Sequence, residues 1–131
     1  MYKKYIEYLG IFIFKEGIKV KISKELLKGS TTMLVLDLLK NQNMYGYEMI
    51  KKLKEKSENV FELKEGTLYP ILHGLEENGL ITSYWDETTA KKRKYYAITE
   101  KGKKQLKEKK EEWKIFSNGI NHVLGGVSFA N

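Results

Sequence analysis

The segment Glu65–Glu77 restricts the fold of this chain more than any other stretch. Leu68, Ile71, Leu72 and Leu75 recur at the i, i+3, i+4, i+7 spacing that gathers side chains onto one stripe of a helix. At about 100° per residue the opposite face holds Gly66, Pro70, His73 and Glu77, with Thr67 and Gly74 on one flank and Tyr69 on the other. Solvated helix faces are ordinarily dense in Lys and Glu. This one is nearly uncharged and reads as a surface shaped for contact. Asn78-Gly79 ends the helix, glycine suiting the left-handed turn that follows a helix C-terminus.

The hydrophobic period then changes from 3.6 to 2. Ile81–Glu87 and Lys94–Ile98 are rich in β-branched and aromatic residues and flank the polar stretch 88–93, the pattern of a two-stranded hairpin. Upstream, Gly29-Ser30-Thr31 reads as a helix start with Ser30 as N-cap, followed by Leu34, Val35, Leu38 and Leu39 at helical spacing. Asn41–Asn43 breaks that helix. A second runs over about Tyr45–Lys56 and buries Met49, Ile50 and Leu53. Thr99 is placed to cap a long last helix over about Glu100–Leu124, which Gly125-Gly126 ends. Three helices, a hairpin and a long helix define a mainly α chain: a winged helix-turn-helix over residues 23–99 and a dimerisation helix with its tail over 100–131.

Residues 1–22 stand apart as an N-terminal extension rich in Tyr, Ile and Phe. One reading is a short strand or helix packed on the body. In the other, Lys15-Glu16-Gly17 is encoded by AAG GAG GGN, a purine-rich ribosome-binding sequence, and Val20 by a GTG start. Residues 1–19 would then be upstream sequence rather than natural protein.

The chain carries a net charge of +7, which favours polyanionic partners. It has no cysteine, so disulfides and thiolate metal sites are excluded. The apolar run Tyr8–Phe14 falls far short of the roughly 20 residues of a spanning helix, and no signal-peptide pattern surrounds it. A cytoplasmic protein without a membrane partner is expected. His73 and His122 lack metal-ligand spacing, and there is no nucleophile elbow, phosphate loop or dinucleotide fingerprint. Neither enzyme activity, nor a cofactor, nor a metal is expected.

Lys91, Lys92, Arg93 and Lys94 form the densest cationic run. Such a run is usually a solvated loop, but at a hairpin tip beside the third helix it is placed to neutralise phosphates of double-stranded DNA. Residues 61–99 hold five basic against six acidic side chains, so affinity depends on a few placed cations rather than on bulk charge. Tyr45 reads equally as a core-edge aromatic or as a phosphate donor at a helix N-terminus; Tyr47 reads as core. Thr67, Tyr69, Pro70 and His73 are the candidates facing a DNA groove. Leu106, Trp113, Phe116, Ile120 and Val123 step by heptad-like intervals along the last helix, with Lys109 in the vacant position, and are the candidates for pairing two subunits into a homodimer. Trp113 is either plain packing or the wall of a pocket for a small aromatic effector.

Over about residues 26–126 the sequence resembles the PadR family of transcription regulators. The resemblance is carried by Tyr45-Gly46-Tyr47-Glu48, Glu65-Gly66-Thr67-Leu68-Tyr69-Pro70, Lys92-Arg93-Lys94-Tyr95-Tyr96 and Thr99-Glu100-Lys101-Gly102. It implies a dimeric winged-helix repressor of palindromic operators, paired through its last helix and released by a small phenolic or lipophilic effector. It places Thr67, Tyr69 and Pro70 on the recognition helix and Lys92, Arg93 and Lys94 in the wing, and it associates Trp113 with flat ligands. Two positions depart from the family pattern: Lys64 stands where Ser is usual, and Gly74 where a cation is usual. A winged helix used for protein contact, and a ligand-sensing dimer without direct operator binding, are the alternatives.

Overall fold

The computed structural model describes residues 6–7, 11–15 and 18–126. The described part of the N-terminal extension is strand. β1 (Ile6–Glu7), β2 (Ile11–Lys15) and β3 (Ile18–Ile22) form an antiparallel meander, with Ile13 opposite both Ile6 and Val20.

Helix α1 spans Lys24–Asn41 and starts well before the expected Ser30. Ser23 is the N-cap, its Oγ accepting from the Leu26 amide at 3.3 Å. Ser30 instead lies within the helix and donates to the Leu27 carbonyl, at 3.0 Å. Gly29 does not open the helix because its cost in a helix interior, about 1 kcal/mol, is outweighed by the burial that follows. Val35, Leu36, Leu38 and Leu39 are all buried, over a wider arc than one stripe, because α1 touches helices and sheet on several sides.

The chain then forms β4 (Met44–Tyr45), a two-residue strand absent from the sequence reading, and α2 (Gly46–Lys56). Met49 and Leu53 point α2 inward. Tyr47, two positions and about 200° from Met49, therefore faces outward and is 61% exposed, contrary to the expectation of a core residue. Helix α3 occupies Glu65–Glu77, as its pattern predicts, with Leu68, Leu72 and Leu75 buried and Ile71 half-buried.

β5 (Ile81–Asp86) and β6 (Arg93–Ile98) are the hairpin strands, and β4 adds to β6 in the order β4-β6-β5. Asp86 organises the turn, its Oδ1 accepting from the Thr88 hydroxyl at 2.7 Å and the Thr88 amide at 2.9 Å. These bonds hold its pKa below the ordinary 3.8.

Helix α4 (Glu100–Val123) begins at a clamp. Thr99 Oγ1 accepts from the Gly102 amide at 3.0 Å while donating to the Gly79 carbonyl at 2.7 Å. Gly79, at φ 72°, makes the left-handed turn after α3. A Cβ on Gly102 would lie 2.1 Å from the Leu80 carbonyl oxygen, so only glycine allows α4 this close to the base of the hairpin. Farther along, Lys110 of α4 pairs with Asp37 of α1 at 2.5 Å, and Lys40 stands 3.7 Å from the same oxygen. Burial of Asp37 opposes ionisation, but its contact with Lys110 and the charges of Lys110 and Lys40 outweigh it and lower the pKa.

Because folding lowers the Asp37 pKa, its stabilisation is present at neutral pH and is lost as pH falls through the lowered value. Both partners are partly exposed, so the contribution is within about 1 kcal/mol. The melting temperature of Asp37→Asn is expected to lie below that of the unsubstituted protein at pH 7. The gap narrows as pH falls below the ordinary carboxylate value of 3.8 and through the lowered one; a gap independent of pH would show that the ion pair contributes nothing.

Candidate nucleic-acid interface

Burial of Leu68, Leu72 and Leu75 fixes the rotation of α3, and that rotation decides what the helix shows to solvent. Thr67, Tyr69, Pro70 and His73 are all exposed, together with Gly66 at the helix start. Pro70 has no N–H, so the carbonyl of Gly66 lacks its usual intrahelical donor, a loss tolerable at an exposed site. His73 Nε2 lies 2.6 Å from Glu77 Oε1 one turn on, both well exposed.

Tyr69 is a strut as much as a surface group. It is 43% exposed, yet its hydroxyl end covers Gly46, the first residue of α2. A Cβ at position 46 would lie 2.5 Å from the Tyr69 hydroxyl oxygen and 2.9 Å from the adjoining ring carbon. The absence of a side chain at Gly46 thus sets how α3 leans on α2. On its sheet side Tyr69 approaches Tyr96, whose pKa is raised by burial first, then by Tyr69 and Glu76.

The sheet presents two different faces. Ile81, Ser83 and Trp85 alternate onto the face toward α3, opposite Ile98, Tyr96 and Lys94; Ser83 Oγ donates to Glu76 of α3 at 2.5 Å. Lys94 Nζ stands 5.8 Å from the Tyr96 ring centre, and Lys92 Nζ 5.1 Å from that of Trp85. On the other face Tyr84 stacks on Tyr95 at 5.8 Å, Tyr95 meets Tyr45 edge-on at 5.5 Å, and the Arg93 guanidinium covers Tyr45 at 4.5 Å. Asn43 donates to the Tyr84 hydroxyl at 3.1 Å.

The cationic run read as one cluster is therefore divided. Lys94 belongs to the α3 side with Lys92 beside Trp85, while Arg93 is turned to the tyrosine side, as strand alternation dictates; Lys91 is exposed in the turn. Lys92 also pairs with Glu87 at 3.3 Å. Tyr45 is half-buried at the end of β4, opposite Tyr95, in addition to preceding α2. Sequence reasoning overlooked Tyr84, Trp85 and Tyr95, although the period-2 pattern of β5 and β6 already contained the sorting of their faces.

The residues expected to pair subunits also divide. Leu106 is 3% exposed and belongs to the core of its own chain, so its side chain is not free for a partner. The reason is position: it lies within the part of α4 that packs on α1, before Lys110. Trp113, Phe116, Ile120 and Val123 are exposed, and the rings of Trp113 and Phe116 are 6.1 Å apart. Ile115, Phe116, Gly119, Ile120, Val123 and Leu124 line an open apolar groove of about 420 Å³, of which Trp113 is not part. No helix among the described residues is long and apolar enough to cross a membrane.

Three helices, with a β-hairpin standing beside the third, make this a winged helix-turn-helix protein with a C-terminal helical extension. The profile of the transcriptional regulator PadR-like family matches residues 35–108, and the chain belongs to that family. The transcriptional regulator of Clostridium thermocellum is similar in structure at 38% identity and a TM-score of 0.72, over 76% of this chain and 97% of that one. A PadR family regulator of Eggerthella lenta is 35% identical with a TM-score of 0.70, over 79% and 88% of the two chains. The transcriptional regulator YqjI of Escherichia coli is 30% identical over 76% of this chain and 47% of its own, so this chain spans about half of that relative. The family consists of DNA-binding transcription regulators, not enzymes.

Gly46→Ala tests the strut. The added methyl is expected to push the Tyr69 ring out of its seat and weaken DNA binding about tenfold, with a stability loss of about 1–3 kcal/mol from overpacking. Binding isotherms and thermal melts measure both; a variant with unaltered DNA affinity would remove Tyr69 placement from recognition.

Proposed function

We propose that the protein is a repressor that binds a palindromic operator as a homodimer. Residues 23–99 read the DNA and α4 pairs the subunits. Two α3 helices enter successive major grooves about 34 Å apart, Thr67, Tyr69, Pro70 and His73 facing base edges. Lys91, Lys92, Arg93 and Lys94 of the wing, with Tyr45, hold flanking phosphates. The observation that carries this reading is the exposed, nearly uncharged ridge of α3 standing beside a sheet face that bears Lys94 and leads to Lys92.

Pairing through Trp113, Phe116, Ile120 and Val123 is supported by their exposure on a helix that runs on past its last ion pair with the body. The 13 residues 111–123 extend about 20 Å at 1.5 Å each. An exposed apolar strip of that length marks a surface for a partner. The signal that releases the DNA is a small aromatic or lipophilic effector at Trp113, a role supported by the half-exposed indole beside Phe116.

Mobility shifts with the region upstream of the coding sequence test the DNA reading. The double variant Lys92→Ala, Arg93→Ala is expected to bind all duplexes about tenfold more weakly and to flatten the salt dependence by about one unit of slope per lost phosphate contact. Equal affinity and slope would remove the wing. No shift of the unsubstituted protein even at low salt would favour the protein-contact alternative, for which the acidic excess of residues 61–99 leaves room.

Phe116→Glu places a charge on the proposed seam. Sedimentation velocity is expected to show a monomer at concentrations where the unsubstituted protein is a dimer. An unshifted dimer would place the subunit contact elsewhere.

A further inference from the structure

Trp85 is 58% exposed near the tip of the wing. Its face is fixed by strand alternation: Ile81 is buried, Ser83 bonds to Glu76 of α3, and Trp85 follows about 6.6 Å farther out on the same side. The neighbouring Tyr84, on the other face, is held by Tyr95 and Asn43. Among the described residues Trp85 has no ring partner and its indole N–H has no acceptor; its partner is the ammonium of Lys92. Lys94 is its cross-strand neighbour, while Arg93 is turned to the opposite face of the sheet, over Tyr45.

We infer that Trp85 is a DNA-contacting wedge, its indole seated in the minor groove next to the α3 footprint while Lys92 and Lys94 beside it engage flanking phosphates. This rests on the DNA-binding reading above and adds to it a contact made by an apolar ring. The chemistry fits a duplex better than an acidic peptide. A flat apolar ring finds sugar walls and base edges in a minor groove, its N–H finds the acceptors on the groove floor, and the ammonium groups beside it find the adjoining phosphates. Glu87, 3.3 Å from Lys92, is the acidic group that a phosphate replaces as the partner of that lysine. The contact reads groove width rather than individual bases, so its loss weakens binding to every duplex.

The chain has two tryptophans, so Trp113→Phe leaves Trp85 as the sole indole reporter. The affinity of that variant for a 30-base-pair upstream duplex and for an unrelated duplex of equal length serves as its own reference. Either duplex is expected to protect Trp85 from acrylamide quenching, and prior saturation of the DNA with a minor-groove ligand to abolish the protection. Replacing Trp85 with Ala is expected to cut affinity about tenfold on both duplexes, and with Phe to retain most of it. The melting temperature stays at the reference value, because the side chain is exposed. Undiminished quenching in the complex, or an Ala variant that binds as the reference does, overturns the wedge while leaving the DNA reading intact. Failure of the unsubstituted protein to bind either duplex overturns both.

Discussion

Leu68, Leu72 and Leu75 are buried between the helices and the sheet, and a helix of 13 residues with three such anchors has no freedom to rotate about its axis. Everything presented by α3 follows from that. Full burial of a leucine contributes about 1.5–3 kcal/mol, so turning the opposite face inward would forfeit several such terms at once. Both ends of the helix are held as well. Tyr69 leans into the space left by Gly46 near the first turns, and Thr99 bonds to the Gly79 carbonyl just past the last. Lys101 Nζ adds a bond to the Asn78 carbonyl at 2.8 Å. An interface that must match a groove needs this rigidity more than it needs additional contacts.

The small sheet converts one short sequence into two chemically distinct surfaces. Alternation sends Ser83, Trp85, Lys94 and Tyr96 toward α3 and sends Tyr84, Arg93 and Tyr95 away, where they join Tyr45. The same strand therefore braces the wing with one set of aromatics and offers cations beside the α3 ridge with the other. The tyrosine side also ties the wing to the segment leading into α2, since β4 pairs with β6. Movement of the wing relative to α2 would break both the ladder and the ring contacts.

Helix α4 changes character along its length. Gly102 and Leu106 are buried against the body, Lys110 is tied to Asp37, and beyond them the apolar residues lie in the open. One helix thus belongs first to the core of its own domain and then to a surface that water solvates poorly. A heptad pattern does not mark where that transition falls, because the same residue types serve both halves.

How much was legible from residue order alone follows from the range of the interactions involved. Local periodicity determined α3 and its outward face, the hairpin with its alternation, the Thr99 cap and the winged-helix class, since each depends on side chains a few positions apart. The tertiary structure decided what depends on distant partners. The start of α1 at Ser23, the inward Leu106, the outward Tyr47, the short β4 and the seat of Tyr69 over Gly46 are all of this kind. Two residues of strand carry no periodicity and exist only because β6 supplies their hydrogen bonds. Leucines in a continuous helical pattern look alike until a neighbouring helix covers one and leaves the next residues exposed. The division of the Lys91–Lys94 run between two sheet faces lies between these cases: alternation was present in the sequence, but only pairing against β5 showed which face meets α3.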